Sequence, residues 1–227
     1  MKLSISERAV VPARGRVYSL LRDAIVASEF HPGQRLSEKD LAALLGVSRT
    51  PIREALVRLR DDRLVEIVPQ LGTYVSRISH QALGDAQFVR ESLECAAVRL
   101  AAKSAEEEDI AALQGILASQ REAKQAGDVD RFYLFDDELH RTLCDLSGHG
   151  IAWSVAQRAS GHLNRIRRLS MTMPNYIHEM ISEHEAVVDA VARHEPKRAE
   201  RALREHLRMV LTALSEIEHQ HPEYFQR

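Results

Sequence analysis

The sequence is short of the residues that staple, span or stack. Its 227 residues include 2 cysteines, 5% aromatics and 1 tryptophan. Cys95 and Cys144 stand far apart in apolar helical settings. That excludes a disulfide framework, a CxxC redox pair and a thiolate zinc site, and leaves two small buried hydrophobes. No apolar run is long enough to span a membrane, and no basic start leads into an apolar core as in a secretory signal. The expectation is a cytoplasmic protein with no membrane partner. Overall charge is lacking too, at −2 from 31 Lys+Arg and 33 Asp+Glu. It is unevenly spread: residues 1–78 carry 13 basic and 9 acidic residues, the remainder 18 and 24. A basic half joined to an acidic one points to a polyanion meeting only the first.

What is present is helical periodicity. Val17, Leu20, Leu21, Ala24, Ile25 and Ala27 recur at helical spacing over residues 14–28, and His31-Pro32-Gly33 ends the run. Ser37 caps a second helix that buries Leu41, Leu44 and Leu45 and ends at Gly46, the expected left-handed residue. Ser48 caps a third, to about Asp61, with Ile52, Ala55, Leu56 and Leu59 inward. Two β-rich runs, Leu64–Val68 and Thr73–Ile78, flank Pro69-Gln70-Leu71-Gly72, a hairpin with Gly72 in its turn. From Ser79 onward there is no strand signal. Six helical stretches, 81–104, 106–126, 128–147, 151–172, 174–194 and 196–219, predict an antiparallel bundle.

Two helices separated by Gly46-Val47-Ser48 form a helix-turn-helix, and the second presents Arg49, Thr50, Arg53 and Glu54 away from its apolar stripe. Arginine can bond two acceptors on a guanine edge, and Ser48 and Thr50 can meet phosphate at a helix N-terminus. Spacing alone also fits a solvated basic helix. The stretch HPGQRLSEKDLAALLGVSRTPIREALVRL, residues 31–59, with the LVEIVPQLGTYV wing, closely resembles the winged-helix DNA-binding domain of GntR-family bacterial regulators over nearly all of 14–78. The resemblance implies a homodimer on pseudo-palindromic double-stranded operator DNA, with Lys39, Ser48, Arg49, Thr50 and Arg53 at the DNA and Gly72 at the wing tip. Two residues depart from the family pattern. Arg63 stands where a glycine is usual, predicting a left-handed residue at about 1 kcal/mol. Leu71 stands where the wing usually carries a basic residue.

In the second half, polar residues that interrupt apolar stripes mark where chemistry belongs. Asp136 and His140 lie four apart on one helix, while His184 and His206 take interior positions on two others. One carboxylate and three imidazoles could converge on a divalent cation with positions left open. Each alone reads more readily as a partnered core or boundary residue, and Asp136 with His140 also as an exposed ion pair. Arg90 interrupts a further stripe, formed by Leu83, Ala86, Leu93, Ala97 and Leu100.

Residues 80–217 resemble the FCD ligand-binding domain of the FadR branch of that family, and six helices point to the vanillate-regulator-like subgroup. The resemblance rests on RESLE at 90–94, DDELH at 136–140, SEHEAVVDAV around His184 and AERALREH ending at His206. It implies metal ligation by Asp136, His140, His184 and His206. Zinc comes first, with nickel, manganese or iron as alternatives. It also implies that Arg90 grips the carboxylate of a small organic or sugar-acid effector, the other reading being a buried salt bridge to Glu94. His162 and Arg165 are expected as effector-pocket walls, and Arg167 with Arg168 as a solvated face or a second carboxylate contact. His149 replaces a common asparagine in SGHG.

The expected molecule is mainly α: a winged helix-turn-helix over 10–78 and an all-α six-helix effector and dimerisation bundle over 79–227. It is expected to be a ligand-responsive repressor that binds an organic acid at a metal centre. A sensor of the metal itself and, less favoured, a metalloenzyme are the alternatives. No separate general base accompanies the tetrad, so no enzymatic activity is expected.

Overall fold

The computed structural model describes residues 13–226. The chain runs α1 (Ala13–Val26), β1 (Arg35–Leu36), α2 (Glu38–Leu45), α3 (Arg49–Asp61), β2 (Val65–Val68) and β3 (Gly72–Val75). It continues through α4 (His80–Ser104), α5 (Glu107–Gln125), α6 (Val129–Leu146), α7 (Ile151–Ala159), α8 (Gly161–Ser170), α9 (Tyr176–Ala192) and α10 (Pro196–Gln220). A single 3-10 turn, Pro222–Tyr224, follows. Two compact units result. The first takes the chain up to Leu83 together with Gly161–Arg165 and the residues from Glu218, and the second takes Gly84–Ser160 and Ile166–Ile217. The expected boundary at 78/79 therefore shifts by a few residues, and two later segments group with the first unit. Residues 10–12 of the expected domain lie outside the described residues.

In the first unit α1 and α2 pack on α3, and Leu21, Ile25, Ile52, Leu56, Leu59 and Leu64 are buried between the helices and the sheet. The Ser37 hydroxyl accepts from the Asp40 N–H at 3.3 Å, and Gly46 closes α2 with φ 65°. Ser48 occupies the N-cap position of α3, but its hydroxyl makes no cap bond and stays exposed. Arg63 has φ 59°, the left-handed conformation expected where the family has glycine. The sheet order is β1-β3-β2, all antiparallel, with Val65 opposite Val75 and Val68 opposite Gly72. β1 has no signal in the sequence, because two residues are too few for an alternation to register.

The wing tip differs from expectation. Leu71 N–H donates to Val68 O at 3.1 Å, Pro69 and Gln70 are the central residues, and Gln70 takes the positive φ of 64°. That is the type II pattern, which usually uses glycine at the second central position. Gly72 instead opens β3, with φ 127°, and a Cβ there would stand 3.0 Å from Arg35 Nε. The chain's end adds to this unit: Ile78 N–H donates to Tyr224 O at 2.7 Å and Gln226 N–H to Ile78 O at 2.9 Å. Residues 224–226 thus pair with the segment that follows the wing.

The second unit is helical, with α5 against α6 and α9 and a core of Leu113, Leu117, Leu139, Leu143, Val187, Val191, Leu203 and Leu207. The expected single helix 151–172 is two helices, so the stretch after the wing holds seven α-helices rather than six. Ser160 bends the chain: its hydroxyl donates to Ala156 O at 2.6 Å, a bond to the preceding turn that bends helices. Gly161 then passes close to the first unit's backbone, where a Cβ would stand 3.2 Å from Asp62 O. The subgroup expectation that rested on six helices loses that support.

Candidate functional site

Asp136 and His140 share one face of α6 because four residues make just over one turn. His184 on α9 and His206 on α10 meet them in the core of the second unit, with all four residues buried. One ligand atom from each lies within 4.8 Å of all the others. His184 Nε2 is 3.1 Å from His206 Nε2, and His206 Nε2 is 3.2 Å from His140 Nε2. Asp136 Oδ1 is 3.3 Å from His184 Nε2 and 3.7 Å from His140 Nε2. With metal bonds of about 2.1 Å, neighbouring ligands lie about 3.0 Å apart in a six-coordinate shell and about 3.4 Å apart in a tetrahedral one, so these separations suit adjacent ligands of one ion.

The outer nitrogens decide what faces inward. His184 Nδ1 lies 2.8 Å from Gln120 Oε1, and Gln120 Nε2 donates to Phe135 O at 3.2 Å, which fixes the amide's orientation. His206 Nδ1 lies 2.9 Å from Glu183 Oε2. His140 Nδ1 is 2.7 Å from Glu94 Oε2, an ion-pair contact outside hydrogen-bond alignment. Each outer partner is an acceptor, so each Nδ1 carries a proton, and the neutral His184 and His206 rings turn an Nε2 lone pair to the centre, as His140 does in its neutral form. Asp136 Oδ2 is bound by Arg167, while Oδ1 is buried without a hydrogen-bond partner. Three lone pairs and one orphaned carboxylate oxygen repel one another unless a cation lies between them.

Electrostatics agree for three of the four. Burial and the neighbouring imidazoles push His184 and His206 down to about 3, so both are neutral at pH 7. Burial alone would raise Asp136, but Arg167, His140 and His184 hold it well below the carboxylate range. His140 is raised: burial lowers it, and Glu94 and Asp136 outweigh burial. A bound cation would reverse that balance, since ligation requires the neutral ring. The residues present therefore fit a divalent ion, which would supply a Lewis acid with positions open for a ligand oxygen.

The other residues expected here divide. Arg90 is buried at 3% exposure, and its Nε donates to Glu94 Oε1 at 2.7 Å, so the salt-bridge reading describes its observed partner. His162 and Arg165 bond within the first unit, not to the tetrad. His162 Nε2 donates to Arg63 O at 2.9 Å, its Nδ1 accepts from Ser79 N–H at 3.3 Å, and Arg165 Nη1 donates to Ser76 O at 2.7 Å. The break at Ser160 explains the change, because α8 starts afresh at Gly161 and its facing is not that of one continuous helix. Arg167, expected with Arg168 on a solvated face or as a second carboxylate contact, is buried, with the carboxylates of Asp136 and Asp137 as its partners. Gln120 and Glu183 have no place in the sequence reading, and Glu94 enters it only as a salt-bridge partner of Arg90, not as a neighbour of His140. Only Glu94 left a signal, as a charge on the buried side of RESLE. Trp153 lies parallel to the His140 ring, 6.0 Å between centroids.

In the first unit Lys39, Ser48, Arg49, Thr50 and Arg53 are all exposed at the start of α2 and α3. Arg53 is held by Glu38 through two bonds, Nε to Oε1 at 3.1 Å and Nη2 to Oε2 at 2.9 Å. Gly72 lies one step beyond the wing tip.

A winged helix with an exposed basic recognition helix, followed by a helical unit with a buried polar centre, defines a DNA-binding transcription regulator with an effector domain. Two family models match the chain: "Bacterial regulatory proteins, gntR family" over residues 13–75 and the FCD domain over residues 85–209. The chain belongs to the GntR family of regulators, with a C-terminal FCD effector-binding domain, and is not an enzyme. A regulator in an unstable DNA locus of Streptomyces ambofaciens is 35% identical over 212 residues, 93% of this chain and 89% of that protein. The transcriptional repressor RspR of Escherichia coli K12 is 29% identical over 94% of both chains. Among solved structures, E. coli McbR/YncC shares the fold with TM-score 0.80 and 23% identity, covering 91% of this chain and 99% of that one. FCD domains bind metal ions, and the Asp/His3 group is one that could hold an ion. GntR regulators bind operator DNA and are typically dimers. Among the described residues no helix is long and apolar enough to cross a membrane.

Proposed function

We propose that this protein is a homodimeric repressor whose FCD domain binds a small organic acid at a divalent ion, zinc first, held by Asp136, His140, His184 and His206. The observation that carries the reading is the inward convergence of three imidazole lone pairs and the orphaned Asp136 Oδ1. RspR and the NanR of Enterobacter sp. 638, 30% identical over 211 residues, are both described as repressors, which supports that sign of regulation. Lys39, Ser48, Arg49, Thr50 and Arg53 would meet the operator, with Gly72 allowing Arg35 to lie close to the wing. The ligand must bind the DNA-competent and DNA-incompetent forms unequally, since equal affinity shifts nothing.

One observation favours the second reading, a sensor of the metal alone. Arg90 and Arg167 are already paired with Glu94 and Asp136, so neither is free of a protein carboxylate. The test is to quantify metal in protein purified without added metal or chelator and in a His184→Ala/His206→Ala variant, then measure operator binding with metal alone and with carboxylates added. About one ion per chain, lost in the variant, with release from DNA only when a carboxylate is added, supports the first reading. Release by metal alone supports the second, and no ion after reconstitution overturns both.

A further inference from the structure

Arg90 and Glu94 lie one turn apart on α4, 3% and 1% exposed. The guanidinium embraces the carboxylate, Nε to Oε1 at 2.7 Å and Nη2 to Oε2 at 3.4 Å. The same Oε2 lies 2.7 Å from His140 Nδ1. One buried carboxylate therefore takes a cation on one side and a ring nitrogen on the other.

Each half of this relay needs the other. A buried carboxylate without a counter-charge is strongly unfavourable, so Arg90 is what allows Glu94 to remain an anion at this depth. An anion at Nδ1 holds the proton there, fixes which nitrogen faces the centre and makes the ring a stronger donor. The other ligands have their own dedicated partners: Gln120 for His184, Glu183 for His206 and Arg167 for Asp136. Among the three ring partners, Glu94 is the one charged group that is almost wholly buried, against 33% exposure for the Glu183 side chain. Its influence is thus the least screened by water.

We infer that Arg90 is a positioning residue of the metal centre, acting through Glu94 on His140. The inference rests on the metal reading above. It assigns to a pair on α4 the work of setting one ligand's tautomer and direction.

The test uses the full-length protein and two variants that leave no lone buried charge. Arg90→Met/Glu94→Gln replaces the pair with neutral groups of similar length. Glu94→Asp keeps the pair's charges but draws the carboxylate back from His140. Zn2+ affinity is measured by chelator competition, the Co2+ form by its visible spectrum, and folding by melting in chelator. Both variants should bind Zn2+ about 10–100-fold more weakly and shift the Co2+ spectrum. Arg90→Lys, which leaves Glu94 charged, should recover most of the affinity. Metal affinity within twofold of wild type in Glu94→Asp overturns the inference whether or not the double variant folds. If wild type itself binds neither ion, the metal reading fails and carries this inference with it.

Discussion

Arg167→Met tests the centre most directly, because its cost should depend on whether a cation is bound. Arg167 is 5% exposed and Asp136 is fully buried, and the guanidinium holds Asp136 Oδ2 and reaches Asp137 Oδ1 at 3.0 Å. Methionine keeps the aliphatic volume and deletes the charge. In chelated protein the Asp136 carboxylate would then face the lone pairs of neutral His184 and His206, with His140 the one ring left to offset its charge. Removing one partner of a buried pair costs about 3–5 kcal/mol. For a chain of this size that is a fall in Tm of about 6–20 °C. With saturating Zn2+ the ion takes over the neutralisation of Asp136, and the loss should shrink to about 1–2 kcal/mol of missing hydrogen bonds. The assay is calorimetry or thermal shift of wild type and variant, each in chelator and in Zn2+, comparing the variant's loss between the two conditions. Equal losses in both, or a chelated loss below about 1 kcal/mol, would refute the electrostatic account of this cluster.

Three further outcomes follow from the same contacts. In chelated protein the folded His184 and His206 stay neutral down to about 3, whereas an unfolded histidine takes up a proton below about 6.5. Stability is therefore complete above that pH and is lost as pH falls towards 3, by up to about 1.4 kcal/mol per unit for each ring, with the raised His140 opposing as one group; a Tm that is flat or rises from pH 6.5 to 4.5 contradicts this. Arg165 is fully buried, its Nε and Nη2 have no partner, and burial pushes it down to about 10. Arg165→Met should be neutral or stabilising by about 1–4 kcal/mol in urea unfolding, and a loss above about 2 kcal/mol would mean an anionic partner. Glu38→Gln should release Arg53 and steepen the salt dependence of DNA binding, while Arg49→Ala should cost about 1–3 kcal/mol of operator discrimination. Unchanged salt slopes, or equal losses on operator and random DNA, would remove base reading from these arginines.

The sequence carried what depends on local periodicity and on short-range backbone chemistry. The apolar stripes of α1, α3 and α6, the Ser37 cap, the left-handed Gly46 and even the strained Arg63 are set by residues within a few positions of each other. The tetrad was legible because an inward histidine breaks an apolar stripe visibly. What was hidden depends on contacts distant in sequence. Gln120 and Glu183 come to the rings from α5 and α9, and nothing in their own neighbourhoods marks them. Tyr224 and Gln226 meet Ile78 across most of the chain. The Ser160 bend was missed because serine is tolerated within helices, and it redirected His162 and Arg165 away from the roles assigned to them.

A metal centre and an inert polar network in a helical core differ in where their hydrogen bonds are completed. An inert network is stable when each buried donor meets an acceptor. The outer shell nearly meets that condition, with Gln120, Glu183 and Arg167 each hydrogen-bonded to one ligand and Glu94 in ion-pair contact with His140 Nδ1. The inner face differs: His184 Nε2, His206 Nε2 and Asp136 Oδ1 are acceptors once the Nδ1 protons are placed, and His140, raised by Glu94 and Asp136, is the ring whose Nε2 can carry a proton among them. Moving protons inward only transfers the deficit, because Gln120 Oε1 and Glu183 Oε2 then lose the N–H groups they accept from. A buried polar network with more acceptors than donors at its centre is one that could hold a cation, and leucine at these positions would serve the core at less cost.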